Sequence, residues 1–278
     1  MRVAALYDIH GNLPALEAVL QDVRSARVDH IVIGGDALPG PMPRECLDTL
    51  YALDIPTTFI MGNGDRETLA TRQGQMSKII PEWFREAMRW NAAQLTEEDE
   101  RIIAAWPLTA RMTIAGLGKV LFCHATPRND TEIFTEATAE EKLRTIFDPL
   151  GVDLIVCGHI HMQFDRKVGS TRVVNAGSVG MPFEEPGAYW LMLGPAVQLQ
   201  RTSYDLDAAA DRVRKTAYPQ AEQCASGNIL TTPAKQPMIE AFTKAELRRQ
   251  LVSFWAFVAC SNCSGVMTFS LTSRSPSR

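Results

Sequence analysis

Short apolar runs rich in β-branched residues recur along the chain at VAALY (3–7), HIVIGG (30–35), TTFIMG (57–62), KVLFCH (119–124) and LIVCGH (154–159). Each closes on Gly, Asp, Asn or His, the punctuation of a strand that runs into a turn. Between the first two, Leu16, Val19, Leu20 and Val23 recur at helical spacing and Pro14 suits a first turn, so residues 13–27 read as a crossover helix. Comparable helical patterns fall at 44–53, 82–94, 97–105, 137–148, 205–216 and 236–250. Residues 171–176, 188–193 and 197–204 read as later strands, grouped as an antiparallel meander. Strands alternating with helices predict an α/β fold, and no internal repeat points to a solenoid.

Composition narrows the class. The 278 residues are 46% hydrophobic and 22% charged, the profile of an ordinary globular protein. We expect one domain over 1–250, with a core at 1–205 and C-terminal helices at 206–250, followed by an atypical tail at 251–278. From Leu247 to Arg278 there is no Asp or Glu and there are four Arg, so the tail reads as disordered or non-native. Polar interruptions between Leu251 and Leu271 make it a poor membrane span, and no membrane association is expected. Cys260 and Cys263 are a weak metal or redox signal without a second ligand pair. A formal charge of −4 argues against general nucleic-acid binding. The N-terminal apolar run is too short for a secretory signal, and six scattered cysteines do not resemble a disulfide framework, so a cytoplasmic protein is expected. Oligomerisation is left open.

The polar residues after the strands carry the chemistry. Four of the five histidines lie in clusters directly behind apolar runs: Asp8-Ile9-His10, Cys123-His124 and His159-Ile160-His161. Asp36 and Asn63 follow two further runs. In an open α/β sheet such strand ends converge at one edge, where sites form. In extended backbone, residues i and i+2 face the same side, so each D-x-H or H-x-H pair can grip one site. Two carboxylates, four imidazoles and one amide oxygen exceed the needs of one tetrahedral ion and imply two metals. The mixed nitrogen and oxygen set favours Mn, Fe or Zn. Two dications leave such a cavity positive, which draws in a phosphate, and together with a hydroxide they suit hydrolysis of a phosphoester by in-line displacement.

In that order, Asp8-x-His10, Gly35-Asp36, Gly62-Asn63, His124 and Gly158-His159-x-His161 resemble the calcineurin-like metallophosphoesterase superfamily. The segments DIHGN, GGDALPGPMP and GNGDR are most similar to its small bacterial phosphodiesterase branch. The resemblance spans about residues 1–205. It implies a four-layer sandwich of two mixed β-sheets flanked by helices. It also implies that Asp8, His10 and His161 hold one metal, that Asn63, His124 and His159 hold the other, and that Asp36 bridges them. The implied activity is a phosphoesterase acting on a small phosphate ester. The alternatives are a non-catalytic metal-binding scaffold, as the retromer subunit of the superfamily is, or a phosphatase of phosphoproteins or dinucleoside polyphosphates.

One departure stands out: many members carry His after Gly-Asn as general acid, and here Gly64 stands in its place. The leaving group is then protonated by water or by a residue such as Asp65, or it needs no proton. Asn12, Arg66 and Arg128 are candidates for contacting phosphate, with a helix cap as the equal reading for Asn12 and a surface ion pair as the preferred one for Arg128. His30 reads as a turn or surface residue, and Cys123 and Cys157 as core thiols. The Asn175–Ser178 turn reads as structural before it reads as ligand-orienting. Trp83, Phe84, Met88 and Trp90 read as helix packing before they read as a substrate-facing cap.

Overall fold

The computed structural model describes residues 1–246. The reading of a tail at 251–278, its cysteine pair and the end of the last helix lie outside the described residues. Among the described residues, ten strands form two five-stranded sheets. In the first, β1 (Val3–Leu6), β2 (His30–Ile33) and β3 (Thr57–Phe59) run parallel, and β9 (Ala188–Leu193) and β10 (Val197–Thr202) extend it antiparallel from β1. In the second, β5 (Gly118–Cys123), β6 (Leu154–Cys157) and β8 (Thr171–Ala176) run parallel, with β4 (Thr109–Ile114) and β7 (Gln163–Val168) as antiparallel edges. Both sheets are mixed and helices flank both, the four-layer architecture expected.

The period-two alternation of the strands explains the layers. Val3, Ala5 and Tyr7 pack with Val120, Phe122, Leu154, Val156 and Leu191 in the core between the sheets. Their neighbours Ala4 and Leu6 face the other way, toward α1 (Leu13–Ser25), α2 (Pro43–Tyr51) and α7 (Leu206–Arg214). Leu121, Cys123, Ile155 and Cys157 face α4 (Arg85–Ala93), α6 (Glu140–Phe147) and α9 (Lys235–Ala245). Because both faces of each central strand are covered, the runs read as continuous apolar sequence.

The meander is corrected. β9 and β10 do form an antiparallel hairpin, but β8 belongs to the other sheet, between β6 and β7. Strand pattern reports burial, not the sheet to which a strand is added. Two strands went unpredicted, β4 and β7; both are edges with alternate residues in water, so TARMTI and QFDRKV lack an apolar run. The helix α3 (Asn63–Arg72) was also missed, because its buried residues, Asn63, Gly64, Asp65, Thr68 and Leu69, include a single large apolar side chain and so make no apolar stripe. Among the described residues two more α-helices are α5 (Glu97–Ala104), which Thr96 and Asp99 cap reciprocally, and the short α8 (Ala221–Cys224). A π-helical turn follows α8 at Ala225–Leu230.

Candidate metal centre

Every predicted ligand follows the C-terminal end of a parallel strand: Asp8 and His10 after β1, Asp36 after β2, Asn63 after β3, His124 after β5, and His159 and His161 after β6. The backbone draws these ends together. The amides of Asp8, His10 and Gly11 donate to the carbonyls of Gly35, Asp36 and Ala37 at 3.0 Å each, which zips the first two loops. Gly35 has φ +95°, and a Cβ there would lie 2.7 Å from Gly62 Cα and from His124 Nδ1, so only glycine lets the three loops meet. Asp8, His10, Asp36, His159 and His161 have φ between 47° and 70°. Left-handed backbone at a residue with a side chain costs on the order of 1–3 kcal/mol and clusters at functional sites. Here it turns the side chains inward.

The seven side chains meet in one pocket, each 4% exposed or less. On one flank, His10 Nε2 lies 3.1 Å from His161 Nε2, and His161 Nε2 lies 3.3 Å from Asp8 Oδ1. On the other flank, Asn63 lies 3.0 Å from His124 Nε2, and with its amide turned over its nitrogen is 2.9 Å from His159 Nδ1. Asp36 stands between, Oδ1 at 3.5 Å from His124 Nε2 and Oδ2 at 3.7 Å from His10 Nε2. Behind three of the rings stand backbone carbonyls: Pro39 O at 3.3 Å from His10 Nδ1, Gly34 O at 3.1 Å from His124 Nδ1 and Met181 O at 2.6 Å from His161 Nδ1. A carbonyl behind Nδ1 fixes the tautomer that presents Nε2 as an electron-pair donor.

Electrostatics agree with a cation site. Burial, reinforced by His161, lowers the His10 imidazole to about 3; burial and His124 push His159 well below its ordinary value. Both rings are neutral, the form that ligates. Burial works against ionised Asp8, yet His161, with His124 and His10, holds its carboxyl down to about 2. Burial and the charge of Asp8 push the Asp36 carboxyl well up. Asp8 Oδ1 and Asp36 Oδ2 are buried and accept no hydrogen bond from the described residues. Adjacent buried carboxylates of this kind are costly unless a cation lies between them. Asp8 with His10 and His161, and Asp8 with Asp36 and His124, each offer atoms within 4.8 Å of one another, so the residues fit a bound metal.

The profile of the calcineurin-like phosphoesterase superfamily domain matches residues 1–193. The chain belongs to this superfamily. The metallophosphoesterase of Sphaerobacter thermophilus, whose structure is solved, is 26% identical, with a TM-score of 0.64 over 82% of this chain and 99% of that one. A hypothetical protein of Pyrococcus horikoshii shares the fold at a TM-score of 0.69 and 20% identity, over 81% of this chain and 97% of that one. An uncharacterised protein of Methanocaldococcus jannaschii is 27% identical over 246 residues, 78% of this chain and 94% of its own length.

The candidate phosphate contacts are engaged elsewhere in this superfamily member. Asn12 caps α1, accepting from Ala15 N at 3.2 Å, while its amide nitrogen donates to Gly180 O at 2.9 Å. Of its two readings, the cap is the one seen. Arg66 spends its fork on Asp130, through Nε at 2.6 Å and a second nitrogen at 3.2 Å, and gives its third nitrogen to Glu67. Arg128 pairs with the buried Glu132. Asp65, named as one possible proton donor to the leaving group, is fully buried and accepts from Asp36 N at 2.7 Å, Leu38 N at 3.0 Å and Gly62 N at 3.1 Å. Burial and the charge of Asp36 push this carboxyl up to about 8 against the lowering by the Leu38 and Gly62 amides, and the turn amides occupy both of its oxygens.

Sequence reasoning undervalued the supporting residues. Asn175 donates to Gly158 O at 2.6 Å, holding the turn that carries His159, and Ser178 Oγ donates to Asp8 O at 2.7 Å. Asn91, buried on α4, accepts from Gly40 N at 2.9 Å and steadies the loop whose Pro39 carbonyl backs His10. Their signal is weak because Asn and Ser near Gly are common in turns. His30 lies outside the pocket, 2.8 Å from Thr58 Oγ1, and Cys123 and Cys157 are core thiols. Phe84 and Met88 are buried packing residues, whereas Trp83 remains 39% exposed.

Proposed function

We propose that this chain is a hydrolase of a small phosphate ester, a phosphodiester in the first instance, working with a pair of divalent transition ions drawn from Mn²⁺, Fe²⁺ and Zn²⁺. Asp8, His10 and His161 would hold one ion, Asn63, His124 and His159 the second, with Asp36 shared. The observation that carries this reading is the buried Asp8–Asp36 carboxylate pair, two of whose oxygens accept no hydrogen bond from the described residues, flanked by imidazoles backed by carbonyls. When bound, two such ions neutralise charge on a phosphoryl group and acidify water.

The chain's own residues do the rest. The carbonyls of Pro39, Gly34 and Met181 fix His10, His124 and His161 before substrate arrives, so the site is preorganised. Gly64 N donates to Asp36 Oδ1 at 2.6 Å and holds that carboxylate across the two flanks. Gly64 offers no proton to a departing alkoxide, so the proposal favours esters whose leaving group is stable as an anion. A cytoplasmic setting belongs to the proposal, since Cys46, Cys123 and Cys157 are free thiols. Among the described residues, no helix is long and apolar enough to cross a membrane.

The test is hydrolysis of bis(p-nitrophenyl) phosphate by the full chain with Mn²⁺. We expect turnover that a chelator stops and that Asp36→Asn lowers by at least about a hundredfold, on the scale of removing a principal electrostatic group from a site. Undiminished turnover by Asp36→Asn, or with chelator, contradicts the proposal.

A further inference from the structure

A cleft opens beside His10. Its walls include the exposed indole of Trp83, Phe84, Tyr218, Gln223 and Asn228, over a floor formed by the Pro39–Pro41 turn. No Asp, Glu, Lys or Arg among the described residues lines it. The far wall, 218–228, lies beyond the family-matched segment 1–193 and belongs to the C-terminal helices. Asn228 sits within the π-helical turn Ala225–Leu230, a rare geometry that recurs at functional sites. Gln220 Nε2 donates to the backbone carbonyl of Trp83 at 3.1 Å, which ties this wall to the segment that carries the indole. Tyr218 stands edge-on to Trp90 at 5.5 Å, and Trp83 edge-on to Phe84 at 5.4 Å, so the aromatic surfaces are braced.

We infer that this cleft receives a flat, uncharged, hydrogen-bonding ring on the organic group of the ester, stacked on Trp83 and read by the carboxamides of Gln223 and Asn228. The inference rests on the phosphoesterase reading, because it assumes that the phosphate lies at the Asp8–Asp36 pair. The chemistry of the lining supports it. A second phosphate or a charged peptide would find no counter-ion in the cleft, whereas an aromatic face stacks on any π-surface and amides pair with ring nitrogens and carbonyls. Trp83, together with Gln223 and Asn228 from beyond the family-matched segment, thus selects the ester, and the strand-end ligands serve any ester.

Equilibrium dialysis of the Mn²⁺-loaded full chain with adenosine 5′-monophosphate and with ribose 5-phosphate tests it, since the two probes share a phosphate and differ in the ring. We expect the adenine-bearing probe to bind at least about tenfold more tightly, as one stacked base contributes elsewhere. We also expect that ratio to fall toward one in Trp83→Ala and in Asn228→Ala. Circular dichroism checks that both variants are folded; Trp83, being partly exposed, is the safer substitution. Equal affinities in the unmodified protein, or a ratio unchanged in both variants, overturn the cleft assignment while hydrolysis of bis(p-nitrophenyl) phosphate stands. Failure of both probes to bind, with no hydrolysis and no Mn²⁺ uptake, overturns the phosphoesterase reading and the cleft with it.

Discussion

Replacing Gly64 is the sharpest probe of how the centre is packed, because two expectations for it have opposite sign. Gly64 lies in the first turn of α3, where alanine is ordinarily better than glycine by up to about 1 kcal/mol. The fold opposes that gain. A Cβ on Gly64 would lie 2.3 Å from Leu38 O and 3.0 Å from both Asp36 Cγ and Pro39 Cδ. Leu38 O is backbone and cannot rotate aside, so the chain must shift by roughly an ångström. Overpacking of this kind costs about 1–3 kcal/mol. The same shift disturbs the 2.6 Å bond from Gly64 N to Asp36 Oδ1. Gly64→Ala is therefore expected to lose about 1–2 kcal/mol net, a fall in Tm of roughly 2–8 °C for a chain this long, and to slow hydrolysis of bis(p-nitrophenyl) phosphate by about tenfold or more. Gly64→His, which introduces the imidazole that the family resemblance implies at this position, is expected to be worse on both counts. Differential scanning calorimetry and initial rates decide it. A Gly64→Ala protein as stable as the parent, or a Gly64→His protein that gains activity on esters with poor leaving groups, refutes the packing argument.

Asp65→Asn turns an amide nitrogen toward one of the three backbone donors that the carboxylate now accepts. A loss of about 1–3 kcal/mol is expected for the unpaired buried donor, read as a lower urea midpoint at unchanged slope. Asn91→Ala strips Gly40 N of its acceptor 2.9 Å away and loosens the loop behind His10. Both a lower Tm and a lower kcat are expected, and an unchanged kcat argues against a positioning role for Asn91.

The ligand set was legible because its signal is local. Asp8, His10, Asp36, His124, His159 and His161 follow buried parallel strands and Asn63 follows the half-buried β3, and such strands are among the conspicuous apolar runs in the chain. The parallel cores of both sheets were legible for the same reason. Edge strands β4 and β7 were not, since water on one side removes the apolar pattern. The placement of β8 depends on its partners β6 and β7, long-range facts that no window of residues contains. Gly64 shows the same limit on a smaller scale: the sequence reveals a missing acid, but only the packing of Leu38 and Pro39 explains why no side chain fits. The cleft wall at 218–228 was hidden as well, because Tyr218, Gln223 and Asn228 acquire a role only when the C-terminal helices fold back beside Trp83.

The central claim is that two buried carboxylates and their imidazole neighbours form a cage for a pair of cations. Inductively coupled plasma mass spectrometry of the full chain, loaded with Mn²⁺ and freed of excess, measures this directly. Close to two ions per chain are expected in the unmodified protein and clearly fewer in Asp36→Asn. One ion or none in the unmodified protein, or an undiminished count in Asp36→Asn, contradicts the account.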